Sequence, residues 1–139
     1  MTTLLFAAVL TLQAGPAETV ATHSHLREAS RAALPIQTGV ASYYADKYHG
    51  RPTASGEIFD TYKFTAAHNA YAFGTCIRVT NLENQRTVIV RINDRGPFVS
   101  GRIIDLSRAS ARELRMEKAG LAKVKIEVVP VSTGQPVAE

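Results

Sequence analysis

Three stretches of the chain alternate apolar and polar residues with the two-residue period of a half-buried strand. Thr75 to Leu82 places Ile77 and Val79 on one face, with Arg78 and Thr80 on the other. Arg86 to Asn93 repeats the pattern with Val88, Val90 and Ile92, and Glu83 to Gln85 between the two reads as a turn, so the pair predicts a β-hairpin. Lys123 to Val129 alternates once more and should bury Val124, Ile126 and Val128. Gln37 to Tyr44 is β-prone, and Arg102 to Asp105 is long enough for a short strand. Asp46 to Asp60 reads as a polar loop. Ser107 is placed to cap a helix running through Met116, with Leu114 on its buried side. The result is a mainly β chain of several short strands, with one helix before the last of them. A closed barrel removes the exposed edges of such a set, and a sandwich is the alternative; spacing alone does not choose.

The length of 139 residues leaves room for one domain, expected over residues 37–130, with a polar tail over 131–139. Residues 18–36 are polar and weakly periodic and read as a linker ended by Pro35. Before them, Leu4 to Leu12 is an apolar run well short of the ~20 residues that span a bilayer, followed by small residues. Residues 1–17 therefore read as a secretory signal peptide, although no Lys or Arg precedes the run. The expected location is periplasmic or secreted, as a soluble monomer with no stable membrane insertion after signal removal. A net charge of +4 comes without a Lys/Arg cluster, so no nucleic-acid partner is expected, whereas an acidic polymer suits it. Cys76 is the only cysteine; it excludes an intrachain disulfide and reads as a small buried residue. His23 and His25 make a weak metal pair at most, and neither a metal nor a cofactor is expected.

Four carboxylates stand in loops or at strand ends: Glu57, Asp60, Asp94 and Asp105. His68 follows directly on an expected strand. Polysaccharide cleavage needs a positioned acid to protonate the bridging oxygen, and often a second carboxylate to stabilise the charge that develops on the sugar. The segment Asn93-Asp94-Arg95-Gly96-Pro97 is the most informative, because it puts Asp94 at the end of an apolar strand beside a Gly-Pro turn. The same residues also fit a capped turn in which Asp94 bonds its own backbone or pairs with Arg95. Gly56 suggests a bend that presents Glu57, three residues from Asp60, to a shared concave site. Tyr43, Tyr44 and Phe98 offer rings that can stack on a sugar; alternation points the two tyrosines opposite ways, so at most one of them lines a groove.

Taken in order, several of these pieces resemble the rare lipoprotein A family, whose domain is a double-psi β-barrel. They are Gly39 to Tyr44, Tyr48 to Arg51 with Thr53-Ala54 and Gly56-Glu57, Thr65 to His68, Gly74-Thr75, Val79 to Leu82, Arg91 to Phe98 and Ile104 to Ser107. The resemblance implies a six-stranded double-psi barrel with one or two short helices and a surface groove for glycan. It also implies a lytic transglycosylase acting on peptidoglycan glycan strands, in which the muramic acid 6-hydroxyl attacks its own anomeric carbon and leaves a 1,6-anhydro end. Carried over by position, Glu57, Asp60, His68 and Asp94 match polar positions linked to activity. Asp94 and Glu57 are expected as the carboxylate pair, with His68 orienting a carboxylate or the substrate. Asp105, in an Asp-Leu-Ser piece that also resembles expansins, is a further catalytic candidate or a helix cap. Tyr44, Asp60, Asn93, Arg95 and Phe98 are expected to contact the glycan, and Arg91 and Arg95 could meet its carboxylates. Two other readings remain: a non-catalytic wall-loosening module like an expansin, and a barwin-type protease inhibitor, against which the single cysteine speaks.

Overall fold

The computed structural model describes residues 36–130. The stretches expected as a signal peptide, as a linker with His23 and His25 (Ile36 apart) and as a polar tail lie outside the described residues. Six strands close into a barrel in the order β1-β5-β2-β4-β3-β6. They are β1 (Gln37–Tyr43), β2 (Thr65–Ala67), β3 (Cys76–Asn81), β4 (Thr87–Asp94), β5 (Arg102–Leu106) and β6 (Ala122–Val128). β3 and β4 form the expected hairpin, with Ile77 opposite Val90 and Val79 opposite Val88. Two pairings are parallel, β1 with β5 and β2 with β4, and both are long-range. Closure therefore decides for the barrel over the sandwich.

The alternating apolar residues fill the interior. Ile77, Val79, Val88, Val90, Ile92, Ile104, Leu106, Val124 and Ile126 form one buried cluster. Val128, expected inside with Val124 and Ile126, is only partly buried at the end of its strand. Cys76 is half-exposed rather than buried, because it shares the outward face of β3 with Arg78 while Ile77 turns in. Thr80 is buried, although the alternation assigns it to the outer face.

The helix, α1 (Arg108–Glu113), stops a turn earlier than expected. Arg115 takes a left-handed conformation at φ 52°, which ends the α-helical path. The carbonyl of Leu114 is taken instead by the side-chain amides of Asn81 and Asn84, each at 3.0 Å, so the β3–β4 turn caps the helix from outside. Leu114 and Met116 remain in the core despite this. At the other end Ser107 Oγ accepts from the Ser110 amide at 3.2 Å, fully buried. Ser107→Ala leaves that amide without its partner and should cost about 1 kcal/mol, read as a fall in Tm of several degrees by calorimetry.

Candidate glycan-processing site on the outer face of the barrel

Local irregularities in the strands decide where the acidic side chains point. In β4 the pairing with β2 runs Ala66 to Ile92 and then Ala67 to Asp94, so Asn93 is an extra residue. Strict alternation would turn Asp94 inward with Ile92. The extra residue turns it outward, as bulges commonly do beside functional sites. Asp105 lies on the other side of Ala67, between the inward residues Ile104 and Leu106. Ser42, Asp105, Ala67 and Asp94 thus form one outward row across β1, β5, β2 and β4. Strand spacing puts the backbones of the two aspartates about 10 Å apart. Ala67 keeps the space between them low.

Both oxygens of Asp94 are engaged. Oδ1 accepts from the amides of Ala54 at 2.9 Å and Arg95 at 2.8 Å, and Oδ2 accepts from the Tyr44 hydroxyl at 2.6 Å. The Tyr44 ring packs on Phe59, with centroids 4.6 Å apart, and against Tyr48. Its hydroxyl is therefore its working end, and it is Asp94 that this end serves. Burial first, then the hydrogen bond to Asp94, pushes the phenol well above its usual range, so it keeps its proton. Asp105 accepts on Oδ1 from Arg102 at 2.8 Å and from the Ser42 hydroxyl. Its Oδ2 has no hydrogen-bond partner among the described residues and faces the turn at Gly96. There φ is 129°, a left-handed conformation that suits glycine.

Glu57 sits on the loop between β1 and β2, after a bend at Gly56 with φ 89°. That bend is the one the sequence leads one to expect. Three anchors lay the loop over the end of β4: the buried Phe59 ring, the Ala54 amide on Asp94, and the Ser55 amide on the Asn93 carbonyl at 3.3 Å. The Glu57 carboxylate is held by Arg91 at 2.6 Å and by the Asn93 side chain at 3.1 Å. Those hydrogen bonds, Arg91 first, hold it below the usual carboxylate range. Glu57 shares no hydrogen bond with Asp94; the neighbour of Asp94 across the short β2 is Asp105.

Asp60 lines a shallow open depression together with Glu57, Lys63 and Arg91. Its own carboxylate accepts from the Tyr62 amide at 2.9 Å, closing a turn. His68 is buried and faces a different task. Nδ1 accepts from the amides of Ala70 and Tyr71 at 3.0 and 3.1 Å, which leaves Nε2 to donate to Gln37 at 3.3 Å. The ring stacks on Tyr71 and shares no hydrogen bond with a carboxylate. Burial, then Arg95, pushes it below the ordinary imidazole range, so it is neutral at pH 7. The Arg95 guanidinium bonds the carbonyls of His68 and Tyr71 at 3.1 and 2.8 Å and lies over Phe73; only its backbone reaches Asp94. Phe98 is 86% exposed just past the Gly-Pro turn, a bare ring beside the row.

Two partners of Asp105, Ser42 and Arg102, were not foreseen. Ser42 reaches it through a long-range parallel pairing. Arg102, three residues before Asp105, would face the opposite way by alternation, but Ile103 is an extra residue in the pairing with β1 and brings the two together.

A family model described as lytic transglycolase matches residues 36–126, the whole barrel up to β6. The chain belongs to this family. Among its curated relatives is the endolytic peptidoglycan transglycosylase RlpA of Pasteurella multocida, 55% identical over 91 residues, covering 66% of this chain and 31% of that protein. The protein of the same name from Neisseria meningitidis is 50% identical over 103 residues, covering 74% of this chain and 43% of that one. The chain thus spans less than half the length of these relatives. Solved structures with the same barrel include the Streptomyces papain inhibitor, at TM-score 0.57 and 24% identity, over 69% of this chain and 96% of that one. An apo expansin from Clavibacter michiganensis aligns at TM-score 0.57 and 21% identity, over 72% of this chain and 53% of that one. At these identities the likeness concerns the fold alone. Among the described residues of this family member, no helix is long and apolar enough to cross a membrane.

Proposed function

We propose that the barrel cleaves peptidoglycan glycan strands as an endolytic lytic transglycosylase, in the periplasm or outside the cell. The observation that carries this reading is the outward row in which Asp105 and Asp94 flank Ala67, one carboxylate with a free oxygen and the other held by three donors. Relatives at 50–55% identity that are named endolytic peptidoglycan transglycosylases support it.

The division of labour follows from the hydrogen bonds. Three donors converge on Asp94 and hold it in place, so Asp94 acts as the fixed negative charge beside the anomeric carbon. Asp105 has Oδ2 free and moves the proton. It protonates the bridging oxygen as the bond from that oxygen to the muramic acid anomeric carbon breaks. The 6-hydroxyl of the same sugar then bonds to that carbon and gives its proton to the Asp105 carboxylate, restoring the acid. No water enters, because the nucleophile is tethered to the reacting sugar and its effective concentration is high. Phe98 offers an apolar surface to a neighbouring ring. His68 and Arg95 act behind the site, by fixing the segment from His68 to Phe73 against the strand that carries Asp94.

Digestion of purified glycan strands should release products with 1,6-anhydromuramyl ends, detected by mass spectrometry. Strands that are bound but uncut would instead make this barrel a glycan-binding module. Tyr44→Phe removes one of the three donors to Asp94 without changing the ring's packing. It should lower kcat by about 10- to 100-fold with little change in KM, consistent with a hydrogen bond to a charged group.

A further inference from the structure

Glu57 stands on a loop, yet both its oxygens are fixed. Arg91 holds Oε1 at 2.6 Å and Asn93 holds Oε2 at 3.1 Å, both from the outer end of β4 that also carries Asp94. We propose that Arg91, assisted by Asn93, is a positioning residue for the transglycosylase reaction, holding the Glu57 carboxylate in its ion pair and aimed from the Asp94 end of β4. The inference rests on the transglycosylase reading and adds a third carboxylate to the two aspartates.

The bland alternative is that the ion pair merely staples the loop. The loop is already secured by the buried Phe59, by the Ala54 amide on Asp94 and by the Ser55 amide on the Asn93 carbonyl. A half-exposed ion pair adds little to such an anchorage. Its precise hold on both oxygens is better explained by what it does to the carboxylate. Asn93 supports this, because the bulge that turns Asp94 outward is the same residue whose amide bonds Glu57. One irregularity in β4 thus aims two acids at once.

The charged groups facing Glu57 are Arg91 from β4, and Lys63 and Asp60 from the segment leading into β2. The two cations favour the ionised form and partial desolvation opposes it. The net effect holds Glu57 below the usual carboxylate range, with Arg91 as the largest cause. A group so lowered stays ionised as pH falls and is protonated only well into the acid range. Removing Arg91 raises it, so any activity that needs the Glu57 anion should then be lost at a higher pH.

The test follows kcat/KM against pH for wild type, Arg91→Met and Arg91→Lys, together with the titration of the Glu57 carboxyl carbon by NMR. Arg91→Met should move the acid limb and the Glu57 titration to higher pH together, with a lower plateau at neutral pH because Glu57 is then aimed less well. Arg91→Lys should lie between the two, and Glu57→Gln should lose the limb. An unmoved Glu57 titration in Arg91→Met would overturn the proposal, whether or not the wild type cuts glycan. A uniform loss at every pH, with the limb in place, would reduce Arg91 to a staple. Absence of anhydro products from the wild type would instead strike the transglycosylase reading, and the NMR titration would still decide what Arg91 does to Glu57.

Discussion

Asp105→Asn and Asp94→Asn should both lose cleavage of natural glycan strands, by about 10²- to 10⁴-fold, and should then part company on a substrate with an acidic leaving group. Asp105 is assigned the proton because its Oδ2 accepts no hydrogen bond among the described residues, whereas Asp94 accepts three. An aryl glycoside of a muramic acid-containing sugar leaves without being protonated. Asp105→Asn should therefore recover part of its rate on it, short of wild type because the attacking 6-hydroxyl still lacks the carboxylate that takes its proton. Asp94→Asn should recover nothing, because the positive charge at the anomeric carbon develops whichever group departs. Steady-state rates on the two substrates separate the roles. Equal recovery by both variants, or an Asp105→Asn protein that is active on natural strands, would contradict the assignment. Either amide is close to isosteric with the acid it replaces, so circular dichroism should show both variants folded.

The largest effect on stability should come from Ile126→Ala. Ile126 is fully buried on β6, paired with Gln37 on one side and Val79 on the other, in the strand that closes the barrel between β1 and β3. Truncation removes buried apolar surface and leaves a cavity that a closed barrel has little freedom to collapse, since each wall is hydrogen-bonded on both sides. A loss of about 3 kcal/mol is expected, which for a domain of this size lowers Tm by roughly 15 °C in a thermal melt. The activity of the folded fraction should be little changed, because Ile126 points into the core and the acidic row points out.

The elements legible in the sequence are those with a local signature. The β3–β4 hairpin, the alternation of β6 and the Ser107 cap could all be read from residues a few positions apart, and each is present. The candidate acids could be named for the same reason, since Asp94 and Glu57 stand at a strand end and a glycine bend. What alternation could not supply is which acids share a face. Two single-residue irregularities, at Asn93 and at Ile103, invert the direction that counting by twos assigns to Asp94 and Arg102. Both occur in parallel pairings between strands far apart in the chain, where no local pattern sets the register. That is why Asp94 shares an outward row with Asp105, while Glu57 is held by Arg91 and Asn93. The early end of α1 has the same kind of cause: Asn81 and Asn84, distant in sequence, supply its cap.

The central claim is that this barrel cuts glycan with the substrate's own hydroxyl and no water. Digestion of purified strands in heavy-oxygen water, with mass spectrometry of the new ends, tests it most directly. The account predicts 1,6-anhydromuramyl ends free of the label. Labelled reducing ends would show hydrolysis in its place and contradict it, as would strands that remain bound and whole.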